Sequence, residues 1–203
     1  GVRSVLMVAP TGAGKTLLTA HMLGTAAARG LRSLFIVHRV ELLRQSSAAF
    51  DGEGISHGII AAGFEPREAS VQIASIQTLV RRLDGTTKPD MIVFDEAHHV
   101  AAGSWQAVAD RWPDAWRVGL TATPERLDGK GLGLWFQRIV EGPTVRQLIA
   151  EGFLCPYRMF APPSGIDLGG VRTVAGDYDV KELDKRVDKP AITGCAITEY
   201  RRH

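Results

Sequence analysis

The 203-residue chain is long enough for one substantial hydrophobic core and a fragment of a second. Its 45% hydrophobic and 23% charged content suit a globular protein, and a formal net charge of +2 excludes a uniformly basic surface, so any nucleic-acid contact must be local. Cys155 and Cys195 lack zinc or disulfide-framework spacing, no apolar run approaches the roughly 18 residues of a membrane span, and Val5–Val8 is too short for a signal peptide, so a cytoplasmic protein without membrane contact is expected.

The chain opens only a few residues before its first strand, Val5-Leu6-Met7-Val8, which reads as an N-terminal truncation. A helix is expected from Lys15 to Arg29, with Leu17, Leu18, Met22 and Leu23 as its apolar stripe and Gly30 as its stop. Ser33–Val37 reads as a fully buried strand, Arg39–Phe50 as a helix and Ile55–Ala61 as a weaker strand. Val71–Ala74 is a strand, Ile76–Leu83 a helix and Met91–Phe94 a strongly apolar strand. Ser104 caps a helix reaching Trp112, where Trp105 and Trp112 are seven apart and read as core. Trp116–Leu120 is a strand, Thr144–Glu151 a helix stopped by Gly152, and Pro156–Phe160 a last strand. Pro162–Gly176 reads as a linker, followed by helices over Asp179–Val187 and Ala191–Arg202. Apolar strands alternating with helices predict an α/β fold, a mostly parallel sheet between two helical layers. Such sheets bind ligands at the carboxyl ends of their strands.

Two stretches carry chemistry. Ala9-Pro10-Thr11-Gly12-Ala13-Gly14-Lys15-Thr16 lies between a strand and a helix, the context of a phosphate-binding loop. Backbone N–H groups and the helix dipole would face the anion, Gly12 and Gly14 would free the backbone, and Lys15 would reach the β- and γ-phosphates. The Thr16 hydroxyl would ligate magnesium. Ala9 departs from the pattern, which usually opens with Gly. The second stretch is Asp95-Glu96-Ala97-His98 at the tip of an apolar strand. Asp95 suits the magnesium site and Glu96 the water-activating base of nucleotide hydrolysis. The loop, Asp95 and Thr121 all follow apolar runs, so they should converge on one sheet edge.

Together these stretches resemble superfamily 2 helicases and translocases of the DEAH-box spelling. Val37–Gln45 looks like motif Ia, Ala74–Leu79 like the later threonine motif of the same lobe, and Thr121-Ala122-Thr123-Pro124 like the coupling motif III. Gly119–Arg126 is typical of the group related to type I and type III restriction translocases and RadD-like helicases. The resemblance covers roughly Val2–Phe160 and implies a RecA-like P-loop NTPase lobe over 1–160. Residues 161–203 would then be a linker and the first helix of a second lobe.

The resemblance further implies ATP and Mg2+ as ligands, held by residues 9–16 and by Asp95. Glu96 would be the catalytic base, with His98 and the Thr121/Thr123 pair linking the γ-phosphate state to nucleic-acid grip. Arg39, Ser75, Gln77 and Thr78 would touch one sugar-phosphate backbone, DNA in preference to RNA, without reading sequence. Gln77 and Thr78 read equally well as a helix start capped by Ser75, and Arg39 as a helix-surface charge. Two family parts fall outside the sequence: the upstream glutamine segment that reads adenine, and the second RecA-like lobe with its arginine fingers. Since such fingers contribute about 10³–10⁵ in rate, the lobe alone is expected to hydrolyse ATP slowly or not at all. Alternative readings are the motor lobe of a type I or III restriction enzyme, a nucleotide-gated nucleic-acid-binding module without productive hydrolysis, and a small-molecule kinase.

Overall fold

The computed structural model describes residues 1–99, 103–124, 131–158, 169–174, 177–187 and 200. The chain divides into two units, Gly1–Cys155 and Pro156–His203.

The first unit is built on seven parallel strands: β1 (Ser4–Val8), β2 (Ser33–Val37), β3 (His57–Ile60), β4 (Val71–Ser75), β5 (Met91–Phe94), β6 (Trp116–Thr121) and β7 (Arg138–Glu141), in the spatial order β3-β4-β2-β5-β6-β1-β7. Apolar side chains on both faces of the central strands require cover on both sides. Phe35, Val37, Val71, Ile73, Val93 and Leu120 face one way, onto Ala20 and Leu23 of α1 (Lys15–Ala28) and Leu43 and Phe50 of α2 (Val40–Gly52). Leu6, Leu34, Ile36, Ala74, Ile92 and Phe94 face the other, onto Ile76 and Leu79 of α3 (Ile76–Leu79) and Trp105 and Val108 of α4 (Gly103–Arg111). The result is the three-layer α/β arrangement expected. Trp105 and Trp112 are both buried in this second core.

Several elements differ from their expected bounds. α3 ends at Leu79 rather than Leu83, because Arg81 and Arg82 donate three residues back, to Thr78 and Leu79, and the turn tightens into a 3-10 turn at Leu83–Gly85. Pro156–Arg158 is irregular rather than a strand, and residues 159 and 160 lie outside the described residues. The unanticipated β7 pairs with β1 from Val5↔Arg138 to Val8↔Glu141. α5 (Val145–Ala150) begins with a complete capping box between Thr144 and Gln147 and is followed, after Glu151 at its C-cap, by Gly152, whose φ of +79° is one that glycine adopts without strain.

Within the second unit, β8 (Thr173–Val174) and β9 (Asp177–Tyr178) form an antiparallel pair, and α6 (Val180–Val187) starts where the Asp179 carboxylate accepts from the Glu182 amide. The helix expected over Ala191–Arg202 lies outside the described residues except for Tyr200. Among the described residues no helix is long and apolar enough to cross a membrane.

Candidate functional site

All strands of the main sheet run the same way, so their carboxyl ends share one edge. β1 ends in the 9–16 loop, β5 in Asp95 and β6 in Thr121, and β6 lies between the other two. The loop is tied to its neighbour at once, since the Ala9 amide donates to the Thr121 carbonyl at 2.9 Å. Gly12 and Gly14 take φ of +85° and +75°, left-handed conformations that a side chain would oppose. Gly14 occupies the N-cap of α1, where no side chain caps the helix and no acidic residue stands in the first turn. The first-turn amides therefore have no side-chain cap, and the positive end of the helix dipole there favours an anion. Lys15 Nζ donates to the Ala9 and Pro10 carbonyls at 2.9 and 3.1 Å, which holds the ammonium inside the loop's curve. Thr11 and Thr16 are exposed, and Pro10 and Ala13 are half-buried.

Asp95 follows β5 and lies close enough to that ammonium to feel its charge. Its amide donates to the Ile36 carbonyl at 3.0 Å, which continues the strand one residue further. Burial pushes its carboxyl from the ordinary 3.8 up to about 6, and the neighbouring Glu96 charge pushes the same way. The Glu96 amide and the Lys15 ammonium pull it partly back. A half-buried carboxylate that is costly to charge is a group whose energy falls when a cation arrives. Asp95 and the Thr16 hydroxyl offer oxygen donors of the kind that magnesium, a hard, oxygen-seeking ion, takes.

Glu96 has φ +52°, a left-handed conformation unique among the described non-glycine residues and worth roughly 1 kcal/mol or more in strain. The turn it starts continues as a 3-10 turn over Ala97–His99. That reversal brings His98 Nδ1 to 3.3 Å from Glu96 Oε2 and 3.2 Å from Thr121 Oγ1. The fully buried Thr121 hydroxyl donates its one proton to the Thr123 carbonyl at 2.7 Å and accepts from the Thr123 amide at 3.1 Å. It can only accept from His98, so Nδ1 carries the imidazole proton and gives it to Thr121, with the Glu96 carboxylate 3.3 Å from the same nitrogen. His98, Thr121 and Thr123 therefore form one hydrogen-bonded unit, with the Glu96 carboxylate set against its imidazole.

The residues tied by resemblance to nucleic acid sit further along the same edge, at the ends of β2 and β4, where Val37 pairs with Ser75. Arg39 is exposed at the N-cap of α2. Ser75 occupies the N-cap of α3 but makes no side-chain cap; its hydroxyl donates to Gln77 Oε1 at 2.7 Å, and Gln77 Nε2 donates to the His38 carbonyl at 2.9 Å. Thr78 is half-buried in the first turn of α3. Trp135 is partly buried against the second core.

Two features carried no sequence signal. Leu154, delivered by the turn after α5, packs on Gly12 so closely that a Cβ there would stand 2.6 Å from Leu154 Cδ2. The His38 ring lies 5.2 Å from that of His99, which lies 4.2 Å from that of His98.

Residues 1–126 match the family model described as "Type III restriction enzyme, res subunit". The chain belongs to this family. It is 32% identical over 198 residues to a "51.5 kDa protein" of a Lactococcus phage (isolate 7-9), an alignment spanning 98% of this chain and 41% of the relative. It is 25% identical over 219 residues to the "Putative ATP-dependent helicase IRC3" of Saccharomyces cerevisiae, spanning 98% of this chain and 32% of that protein. The chain thus spans less than half the length of either relative. In fold it is similar to the UvsW helicase of bacteriophage T4, with a TM-score of 0.60 and 22% identity over 69% of this chain and 55% of that one. This member of the res-subunit family therefore has the RecA-like fold of a helicase lobe.

Proposed function

We propose that this chain is the ATP-binding lobe of a nucleic-acid-dependent ATPase, a superfamily 2 helicase or translocase. The observation that carries it is the meeting of Lys15 with Asp95 at one sheet edge, beside the Glu96–His98–Thr121 unit. In this reading the loop amides and Lys15 bind the triphosphate, Lys15 exchanging its loop carbonyls for phosphate oxygens. Thr16 and Asp95 hold magnesium, which supplies charge neutralisation at the phosphates. Glu96 accepts a proton from the attacking water, and His98 Nδ1, 3.3 Å away, holds the carboxylate in place. Thr121 and Thr123 carry the state of that carboxylate into β6. Arg39, Ser75, Gln77 and Thr78 contact the nucleic-acid backbone, DNA in preference to RNA, in keeping with a restriction-enzyme family. A second RecA-like lobe would complete the site. The family description also favours a second reading, the motor lobe of a restriction enzyme, which uses the same chemistry.

The test is ATP turnover by the intact protein with and without single- and double-stranded DNA and RNA. Stimulation by nucleic acid, abolished in Lys15→Ala and reduced about 10²–10⁴-fold in Glu96→Gln, is the expected result. Binding without stimulated turnover would instead mark a passive nucleotide-gated module, and indifference to nucleic acid would overturn the proposal.

A further inference from the structure

The Glu96 carboxylate sits in a strained backbone conformation, and such a conformation persists only where its surroundings over-determine it. His98 supplies one constraint. Behind His98 stands His99, with ring centroids 4.2 Å apart and planes at 47°, and behind His99 stands His38 at 5.2 Å and 54°. Each ring is half-buried, and His38 Nδ1 is buried without a hydrogen-bond partner. Burial is the largest cause lowering the proton affinity of both His38 and His99, with the Arg39 and His98 charges adding to it. Both are therefore neutral imidazoles at neutral pH, joined by packing rather than by charge.

The far end of this stack is anchored at the nucleic-acid edge. The His38 carbonyl accepts from Gln77, Gln77 accepts from Ser75, and Arg39 is the next residue in the chain. An unbroken line of contacts therefore runs from Ser75 and Gln77 through three imidazole rings to Glu96.

We propose that His38 and His99 are positioning residues that set the Glu96 carboxylate according to what occupies the 38–39 and 75–78 edge. The inference rests on the nucleic-acid-dependent ATPase reading above and assigns the coupling to ring packing. A nucleic-acid backbone that moves Gln77 or Arg39 moves the His38 main chain, the stacked rings follow, and His98 turns its Nδ1–H relative to Glu96. No proton is transferred along the stack.

The experiment compares the intact protein with its His38→Ala, His99→Ala and His99→Phe variants. ATP turnover is measured against nucleic-acid concentration, alongside the nucleic-acid Kd and the KM for ATP. Coupling changes of this kind run from a few-fold to about 30-fold, so the ratio of stimulated to unstimulated turnover should fall by about tenfold in both alanine variants. Kd and KM should hold within about twofold. His99→Phe keeps a ring without nitrogens and should restore most of the ratio. In parallel, ¹⁵N spectra of the histidine rings should show His98 as the Nδ1–H tautomer in the wild type and a mixture in His99→Ala. Wild-type ratios in both alanine variants would overturn the proposal while leaving the ATPase reading intact. A Kd that weakens as much as turnover falls would do the same, since His38 would then be a contact and not a positioner. Absence of stimulation in the wild type would sink both together.

Discussion

Asp95 offers a test that needs no turnover. Its carboxyl is held at about 6 against an ordinary 3.8, so at neutral pH the folded chain bears a penalty of about 3 kcal/mol for keeping that group charged. The sign follows from proton counting. Between those two values the folded state retains a proton that the unfolded state has released, so stability falls as pH rises from about 4 to about 6 and stays low above that. Asp95→Asn keeps the shape and removes the charge. Urea unfolding of the 203-residue chain should therefore find the variant more stable than wild type at pH 8, by as much as about 3 kcal/mol. The gap should close as pH approaches about 3.5, where both side chains are neutral. Magnesium with nucleotide should reverse the order, because a bound cation stabilises the carboxylate and only wild type offers one. A variant no more stable than wild type at pH 8, or a gap independent of pH, would refute the assignment of Asp95 as a buried carboxylate waiting for a cation.

Further outcomes follow from other positions. Gly119→Ala would drive a Cβ into the Phe136 ring and to 2.8 Å from Ala97 Cβ, an overpacking that should cost about 1–3 kcal/mol, read as a lower urea midpoint. Gly12→Ala meets both a φ of +85° and Leu154, so nucleotide affinity measured by calorimetry should fall while the fold survives. Thr144→Ala removes the hydroxyl that accepts from the Gln147 amide, leaving only the backbone half of the α5 capping box, and should cost about 1 kcal/mol in thermal or urea unfolding, with nucleotide binding unchanged. The 203-residue chain alone should turn over ATP at least 10³-fold more slowly than the intact protein under nucleic-acid stimulation, since arginine fingers contribute about 10³–10⁵. Turnover of several per second by the chain alone would contradict this.

The central strands were legible because β2, β4 and β5 are nearly continuous apolar runs, and only burial on both faces accommodates such runs. β7 was not, because all four of its residues are exposed and it is specified by its edge pairing with β1 rather than by any pattern of its own. Pro156–Phe160 reads as a last strand in the sequence, but Pro156 has no N–H to give a ladder and residues 156–158 stay irregular. At the site, the 9–16 loop and the Asp95–His98 tetrad could be read because each is a contiguous string set by local backbone demands. The His38–His99 stack joins two positions 61 apart in sequence through the neighbouring strands β2 and β5, so no local pattern could announce it.

The same few residues that the fold holds at a cost are those that the proposed chemistry uses. Asp95 bears an unfavourable charge, Glu96 a left-handed backbone and Gly14 an uncapped helix start. Each would be relieved by replacing the side chain or by adding a conventional cap, so none is explained by stability. All three lie at the carboxyl edge of β1 and β5, with β6 between them, whereas the strand interiors beneath are well packed and apolar. A cation relieves the first and an anion the third, and a positioned water gives the second its purpose. A metal-bound triphosphate meets the first and third demands in one ligand, and its hydrolysis meets the second. That concentration of unrelieved cost at one sheet edge argues for a nucleotide site independently of any resemblance.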